Sequence, residues 1–436
     1  MKKRGFIIGV IACACLVGPK IIGGIVKTEY DNILTRFAEH PSIEVVERSF
    51  INQWFSGESV AKIKFKNLPA EFNQYTLLVN EKLSYGPVII NSRGLDFALA
   101  NSNTEFTFLT DPQNPTEKQS NANKAQIDKF VKILNEKLSI TSSISYAMNY
   151  TSHYKMDETI YDEEGVQITI AKLDSEFTLK DEKQVTGYIN WDGGSLSDMD
   201  TVVNIKPVKV TFDQEVVAGD VYAGNALMSG TMAAVVSNIN ASNTAGIELF
   251  TIDNLSFDVN SSINEGLMNI DVKYGAEKFK NDEHELTNAI IDVAINNVDS
   301  KLLLEINQEF SQYQGDPAAF PMQKLIDKAS QLLVNNPEFI IKDLSFDTAV
   351  GSLKSNMNVT VNHTLYNKAN PMSIIGALTA SAKGKVPEML LHQLGLAGMV
   401  NMYVEQGLII RDKEQLTFDA QFNQGKLTVN GQVIPL

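Results

Sequence analysis

Acidic side chains are the groups in this sequence with the clearest capacity for chemistry, and they occur in short clusters. Asp198 and Asp200 lie close to a pair of glycines, and oxygen-rich turns of this kind can bind Ca²⁺. The spacing lacks the terminal glutamate of an EF-hand loop, so we interpret this cluster as a solvated turn. A pair of carboxylates could instead hydrolyse a glycosidic bond, but that chemistry depends on their separation in space. The other acidic clusters are Asp157-Glu158, Asp162–Glu164, Asp192 and Asp282-Glu283 with Glu285.

The sequence contains none of the common catalytic or metal-binding signatures. Gly193–Ser197 reads GGSLS and lacks the closing glycine of a nucleophile elbow, and we find no P-loop, dinucleotide-binding fingerprint or zinc-protease motif. The histidines occur singly, without a second ligand at metal spacing: His40, His153, His284, His363 and His392. We therefore expect no enzyme activity, no cofactor and no metal.

The bulk composition limits the partners of the chain. The formal net charge is −15 over 436 residues, whereas a nucleic-acid-binding protein needs a basic surface. We therefore expect no nucleic-acid partner. Cys13 and Cys15 are the two cysteines of the chain, so the sequence after them holds neither a disulfide nor a cysteine-ligated metal.

The N-terminus has the pattern of a membrane anchor. Met1–Arg4 carries three basic residues, and Gly5–Val26 is apolar except for Pro19 and Lys20. Its length is close to the roughly 20 residues of a spanning helix. The positive-inside rule keeps the N-terminus in the cytoplasm and places the body on the other side. Two alternatives are a cleaved signal peptide and a lipoprotein modified at Cys13.

The remaining sequence predicts an α+β fold, namely an elongated and mostly antiparallel β-sheet with a few packing helices. Short alternating segments bounded by turn residues indicate the strands. We expect four regions: an anchor at 1–28, an N-terminal α+β region at 29–138, a central β region at 139–300 and a C-terminal region at 301–436. We expect a polar loop at Asp111–Lys124. The expected helices are Ala125–Leu138, Ser300–Tyr313, Met322–Asn335 and Glu388–Glu405. A three-strand meander is expected at Leu408–Arg411, Gln415–Phe422 and Gly425–Ile434.

One strand pattern occurs twice. IDNLSFDV stands at Ile252–Val259 and IKDLSFDT at Ile341–Thr348. Both copies alternate apolar and polar residues, which is typical of a strand with one buried face. We interpret them as one β-hairpin unit used at least twice in an extended sheet; the alternative is chance similarity between two alternating strands. The repeated positions are Leu255, Phe257, Asp258, Leu344, Phe346 and Asp347.

Three short motifs resemble the DUF945 or YdgA-like family of bacterial envelope proteins. They are FINQWFSG at Phe50–Gly57, Tyr85-Gly86-Pro87, and KLTVNG at Lys426–Gly431. The chain departs from the family pattern where Gln53 replaces a glycine, Gly57 a serine and Tyr85 a histidine. The positions that carry the resemblance are Trp54, Phe55, Ser56, Gly57, Tyr85, Gly86, Pro87, Leu427, Thr428, Asn430 and Gly431.

The resemblance implies a protein anchored in a Gram-negative inner membrane through residues 5–26, with its body in the periplasm. The replaced histidine favours a structural role for the Tyr85-Gly86-Pro87 turn. The family has no agreed biochemical function, so the resemblance leaves the function open.

Three functions are compatible with the sequence. The sequence favours the first, a non-enzymatic scaffold or envelope-assembly or maintenance factor whose sheet binds envelope proteins or a second copy of the chain, because of the repeat and the missing catalytic motifs; the other two are alternatives. The second is a carrier of lipid or another apolar ligand, with a groove along the sheet. The third is an envelope hydrolase that works through acidic residues. A closed, well-packed sheet would favour the scaffold, and a concentrated apolar channel would favour the carrier.

Overall fold

The computed structural model describes residues 2–66, 75–91, 94–110, 132–133, 135–163, 165–311, 328 and 330–435, and it describes the side chains of the N-terminal helix from Val17 onward. The expected loop Asp111–Lys124 lies outside these residues, as do more than half of the expected helix Ala125–Leu138 and half of the expected helix Met322–Asn335.

Twenty-four strands form one antiparallel sheet. Its strands are rich in β-branched and aromatic residues at alternate positions, which pack well on a pleated surface. They are β1 Ile43–Asn52, β2 Ser56–Phe65, β3 Tyr75–Tyr85, β6 Ala100–Thr110, β7 Leu138–Ile144, β8 Tyr150–Met156, β9 Thr159–Glu163, β10 Val166–Ile170, β11 Leu173–Lys180, β12 Gln184–Trp191, β13 Gly194–Ser197, β14 Thr201–Ile205, β15 Val208–Ala218, β16 Leu227–Asn243, β17 Glu248–Asn264, β18 Leu267–Asn281, β19 Glu285–Asp299, β20 Glu338–Thr348, β21 Gly351–Val361, β22 Leu378–Pro387, β23 Ile410–Asp412, β24 Gln415–Asn423, β25 Lys426–Val429 and β26 Gln432–Ile434. The remaining strands, β4 Ile89–Asn91 and β5 Gly94–Asp96, form a separate hairpin.

The sheet is a meander in which strands close in sequence pair with each other. β1 pairs with β2, β2 with β3, and β3 with β6. The order continues in this way to β25 and β26 at the other edge. Four long strands are each interrupted by a few residues and are therefore numbered as two strands. The pairs are β8 with β9, β10 with β11, β12 with β13, and β14 with β15. The expectation of a mostly antiparallel sheet body with few helices is confirmed.

The described helices are few. They are α1 Lys2–Phe37, α2 Ser300–Ser311, α3 Ile374–Ala377, α4 Glu388–Gln393 and α5 Ala397–Glu405, with short 3₁₀ turns at Leu333–Asn335, His363–Leu365 and Pro371–Ser373. The prediction of a single helix over Glu388–Glu405 is wrong. Gly395 has a φ of +75°, and a residue in the left-handed region ends a right-handed helix.

The C-terminal meander also differs from the expectation. Gly425–Ile434 was expected to be one strand, and the structure divides it into β25 and β26. Asn430 and Gly431 have φ angles of 50° and 82°, which a type I′ hairpin turn requires at its two central positions. The closing motif of the chain is therefore a hairpin turn.

The helix α1 packs along the first strands and builds the principal core. Ile22 and Val26 are buried against a cluster that contains Leu83 and Tyr85 of β3 and Ala100 of β6. About two turns after Val26, Leu34 is buried with Ile43, Ala61 and Ile63. The last turns of the expected anchor therefore belong to the body. Within the described residues, no helix is both long enough and apolar enough to span a membrane.

Candidate functional site

One face of the sheet is apolar across most of the molecule. Residues that pair directly on neighbouring antiparallel strands project from the same side of a sheet. We call this side the apolar face, and its central row contains one residue from each successive strand. The row is Phe177, Gly187, Phe212, Met232, Val259, Val272, Val293, Ile341, Met357, Ala382 and Ala420.

The rows on either side are apolar as well. One contains Ile189, Val210, Ala234, Phe257, Tyr274, Ile291 and Leu344. The other contains Ile270, Ile295, Phe339, Val359, Ala380 and Phe422. Tyr274 and Ile291 keep exposed fractions of 48% and 45%. The face is therefore open to solvent in this part of the sheet.

Gly187 does not interrupt the central row. A Cβ atom at this position would lie 2.5 Å from Cζ of Phe212 on the paired strand. The phenyl ring therefore covers the glycine, and Phe177 contacts the same ring at a centroid distance of 6.3 Å. The apolar surface is continuous from β11 to β15.

The opposite face is polar. Along β15, the residues between the apolar ones are exposed, and they include Lys209, Thr211 and Asp213. Asn356 and Asn358 occupy the same positions on β21. This division is typical of an antiparallel sheet with one solvated side. It is unusual here because a large part of the apolar side is also open.

The apolar face is a long and narrow surface. The central row crosses eleven strands, from β11 to β24, and neighbouring strands lie about 4.8 Å apart. The row is therefore about 50 Å long. On β18, β19 and β20, which carry all three rows, the rows span about 13 Å along the strand. A surface of this shape fits an extended apolar chain better than a compact ligand.

The helix α1 covers one end of this surface and encloses a cavity of about 390 Å³. The cavity has a largely apolar lining, with Val26, Ile33, Leu34, Ala61, Val79, Leu83, Ile144 and Leu179 among its residues. Leu179 lies two residues from Phe177 on the same side of β11. The cavity therefore adjoins the central row of the apolar face.

A group of polar side chains lines the floor of the cavity. Glu81 accepts hydrogen bonds from the hydroxyls of Ser59, at 2.8 Å, and Thr104, at 3.3 Å. The hydroxyl of Ser142 lies 2.9 Å from Oη of Tyr150. Burial raises the pKa of Tyr150, so this phenol stays neutral at physiological pH. The cavity therefore combines apolar walls with a few placed polar groups, as ligand sites do.

Charged residues hold the C-terminal end of α1 over the cavity. Nε of Arg36 donates to Oδ2 of Asp220 at 2.6 Å, and Nη1 donates to Oε2 of Glu182 at 2.9 Å. The guanidinium also lies 4.7 Å from the ring centroid of Tyr222. Burial by itself would raise the pKa of Asp220, but Arg36 and two backbone N–H groups outweigh it and hold that pKa below its usual value. Arg36 therefore fastens α1 to the loop between β15 and β16.

The first two family motifs meet around Tyr85. Its backbone N–H donates to the carbonyl of Phe55 at 2.9 Å. A Cβ atom on Gly57 would lie 2.1 Å from Oη of Tyr85, and one on Gly23 of α1 would lie 2.5 Å from its Cε2. Tyr85 is buried, its hydroxyl has no hydrogen-bond partner among the described residues, and burial raises its pKa to about 12. The two glycines thus make room for the phenol between helix and sheet.

The other residues of these motifs lie at the same end of the sheet. Gly86-Pro87 is a cis peptide, and the N–H of Gly86 donates to the carbonyl of Leu99 at 2.7 Å. Ser56 donates to the side chain of Gln53 at 3.1 Å. Trp54 and Phe55 project outward in the turn between β1 and β2. The motifs therefore connect the sheet to the helix and leave two aromatic rings on the surface.

The third motif lies at the opposite end of the chain's sheet. Asn430 accepts a hydrogen bond from the N–H of Asp419 at 2.9 Å and donates to the carbonyl of Gly407 at 3.1 Å. Leu427 continues an apolar row and pairs with Phe422, while Thr428 pairs with Gln421. The motif, which closes with Gly431, stabilises the last hairpin and is remote from the cavity.

The repeated positions fall on both faces of the sheet. The first copy lies in β17, which pairs with β18, and the second in β20, which pairs with β21. Their apolar positions, Leu255, Phe257, Leu344 and Phe346, project on the apolar face. Asp258 and Asp347 lie on the polar face, where Asp347 accepts a hydrogen bond from Nδ2 of Asn288 at 2.8 Å.

The acidic clusters of the sequence do not form a metal site in the described part of the chain, where no three His, Cys, Asp or Glu side chains are placed to hold an ion. Oδ1 of Asp198 accepts from the N–H groups of Asp200 and Thr201, at 2.9 and 2.7 Å. Asp198 therefore caps the turn between β13 and β14.

The period-two pattern of the individual strands indicates one apolar side in each strand, but it does not show that these sides join into one face or that a cavity lies at its end. Glu81 of the cavity floor and the residues that donate to it, such as Ser59, carry no local signal. They come together because three strands place them in register.

Comparison with known proteins identifies the family of the chain but does not indicate its function. No curated protein and no solved structure matches the chain. The model of the DUF945 family, described as a bacterial protein of unknown function, matches residues 1–436, so the resemblance is confirmed and the chain belongs to this family.

Proposed function

We propose that this protein is a membrane-anchored carrier that holds the acyl chains of a lipid against the apolar face of its sheet. The observation that carries the proposal is the continuous apolar face from β11 to β24, whose central row is only partly buried and which is most open at Tyr274 and Ile291. Soluble proteins rarely expose a contiguous apolar surface of this extent unless it binds something. The sequence favours a scaffold over a carrier, whereas the partly exposed apolar face supports the carrier.

An acyl chain fits the face better than a protein partner does. The central row offers apolar side chains and one glycine across eleven strands. Protein interfaces need hydrogen-bonding groups as well, at about one bond per 100–200 Å². A hydrocarbon chain has no polar groups to satisfy, and each methylene that it buries contributes about 0.8 kcal/mol.

The proposed location is the inner membrane, with the N-terminus in the cytoplasm and the body in the periplasm. It is supported by the basic Met1–Arg4, the apolar run that begins at Gly5 and the positive-inside rule. In this arrangement, α1 leads from the bilayer to the cavity and from there to the apolar face. The scaffold is the second candidate, because the sheet has edge strands at β1 and β26 that can pair with another chain.

The test is photo-crosslinking of the full-length chain in bacterial membranes that are labelled with radioactive phosphate. The photoreactive residue p-benzoylphenylalanine replaces Met357, which lies in the central row far from α1. In the matched control it replaces Asn356, the preceding residue on the polar face of the same strand. We expect a labelled phospholipid adduct at position 357 and none at position 356.

Two results would contradict the carrier. Equal labelling at both positions would mean that lipid contacts the protein without selecting a face. A protein adduct at position 357 without any lipid adduct would replace the carrier by the scaffold.

A further inference from the structure

A second apolar surface surrounds the point where α1 enters the body. Five large apolar side chains are exposed there: Trp54 (52%), Phe55 (52%), Ile90 (81%), Leu95 (62%) and Phe97 (70%). We call these five residues the apolar rim. Two of them belong to the turn between β1 and β2, and the other three to the β4–β5 hairpin and the residue after it.

Contacts with α1 keep these segments together. A Cβ atom on Gly18 would lie 3.4 Å from Cδ of Pro87, immediately before the β4–β5 hairpin. Nζ of Lys20 donates to the carbonyl of Asn52 at 3.2 Å, immediately before the turn that carries Trp54. The hydroxyl of Tyr146 donates to the carbonyl of Pro87. The rim and the entry of α1 therefore lie at one end of the molecule.

The length of α1 shows what this end of the body contacts. Within the part of α1 whose side chains are described, packing on the body is first seen at Gly18, and thirteen uncharged residues, Gly5–Val17, precede it. At 1.5 Å per residue they extend about 20 Å, whereas the hydrocarbon core of a bilayer is about 30 Å thick. The apolar helix is about 10 Å too short to cross the core before it meets the body.

We infer that the rim is a membrane-contact surface and that it lies in the interfacial layer of the bilayer that holds α1. This inference rests on the membrane anchoring in the proposed function and adds the face of the body that contacts the bilayer. Interfacial elements bury their apolar side chains about 5–10 Å deep, which matches the shortfall of the helix. Tryptophan and other aromatic residues favour this depth.

The contact also explains how a lipid would reach the cavity. Val26, the first cavity residue on α1, follows Gly18 by eight residues, which is about 12 Å of helix. With the rim in the bilayer, the cavity lies just outside the headgroups. The contact is apolar, since none of the five rim residues carries a charge.

The two tryptophans of the chain allow a direct test. Trp54 belongs to the rim, whereas Trp191 lies at the end of β12 and pairs with Val208 beside the apolar face. The full-length chain is reconstituted into vesicles of phosphatidylethanolamine and phosphatidylglycerol that contain lipids with a doxyl quencher near the headgroup. Trp191→Phe leaves Trp54 as the reporter of the rim, and Trp54→Phe leaves Trp191 as the reporter of lipid on the sheet.

We expect the fluorescence of Trp54 to be strongly quenched, and the quenching to be insensitive to added salt because the contact is apolar. The combined substitutions Ile90→Ser and Phe97→Ser should reduce it. Met199→Ser and Ile247→Ser remove equally exposed apolar side chains from other turns and should leave it unchanged. Unquenched Trp54 in a chain that floats with the vesicles would overturn the inference, and so would a chain that does not float.

The same experiment separates this inference from the carrier. Quenching of Trp54 without quenching of Trp191 supports the rim and counts against lipid on the sheet. Quenching of Trp191 alone supports the carrier and overturns the rim. The substitution Met357→Asp, which alters the apolar face, should leave the quenching of Trp54 unchanged.

Discussion

A charge placed on the apolar face tests the carrier most directly. Met357 is partly buried in the central row between Ile341 and Ala382. Met357→Asp removes the part of its side chain that would contact an acyl chain, which weakens the binding free energy by about 1–2 kcal/mol. The carboxylate must also lose water when hydrocarbon covers it, and Asp at the centre of a membrane helix costs about 2.5–3.5 kcal/mol. An acyl chain can shift to a neighbouring row, so we expect a net loss of about 2 kcal/mol, or about thirtyfold in affinity.

The assay uses the full-length chain in detergent micelles free of phospholipid, with p-benzoylphenylalanine at Val359 on the same face and strand. Radiolabelled phospholipid is titrated into the micelles, and the phospholipid concentration that gives half-maximal crosslinking is measured. We expect Met357→Asp to raise that concentration about thirtyfold. The control Asn356→Asp adds the same charge on the polar face of β21 and should leave it unchanged.

The effect must not come from unfolding. Met357 is only partly buried, so its substitution should lower the free energy of unfolding by less than the roughly 2–5 kcal/mol of a core methionine. A denaturant titration of both variants checks this point. A folded Met357→Asp variant with unchanged crosslinking would refute the proposed path of the acyl chain.

Three further predictions concern the helix α1 and its supports. Arg36→Ala should lower the free energy of unfolding by about 1.5–3 kcal/mol, because it leaves the half-buried Asp220 without its charged partner, and it should accelerate hydrogen exchange of residues 28–37. The control Lys383→Ala breaks the exposed pair with Asp419 and should lower the free energy of unfolding by at most about 1 kcal/mol. Equal effects of the two variants would contradict the role of Arg36 in fastening α1. Tyr85→Phe should raise the free energy of unfolding by about 1 kcal/mol, because it removes a buried hydroxyl that has no partner among the described residues, and it should reduce the loss of stability caused by Gly57→Ala. Chemical denaturation of the two single variants and the double variant measures this coupling. Additive changes in the free energy of unfolding would contradict the contact between Gly57 and Tyr85. Burial lowers the pKa of His40 from 6.5, so the unfolded chain binds more protons than the folded one between the two pKa values, and stability should fall as the pH decreases through 6.5 toward the folded pKa. Thermal unfolding at pH 7 and pH 5 should show this loss, and His40→Gln should reduce it. An unchanged pH dependence in His40→Gln would exclude His40 as its source.

Much of the secondary structure could be predicted from local patterns. The alternation in Leu255–Val259 indicates a strand with one apolar side, and β17 contains it. The helix predicted at Ser300 is present as α2. Two local errors had chemical causes: the break at Gly395 and the turn at Asn430-Gly431 depend on positive φ angles, which an apolar pattern does not report.

The sequence by itself determined the strand pattern, the acidic character, the apolar N-terminus and the membership of a family. Only the tertiary structure decided that the apolar sides of these strands join into one face, because that depends on the register of each pair, and a shift of one residue would turn a strand over. It also decided that Gly23 and Gly57 enclose Tyr85 and that Ser59, Glu81 and Thr104 meet under α1. These residues are far apart in the sequence, and no local propensity encodes a contact that exists only after the chain has folded.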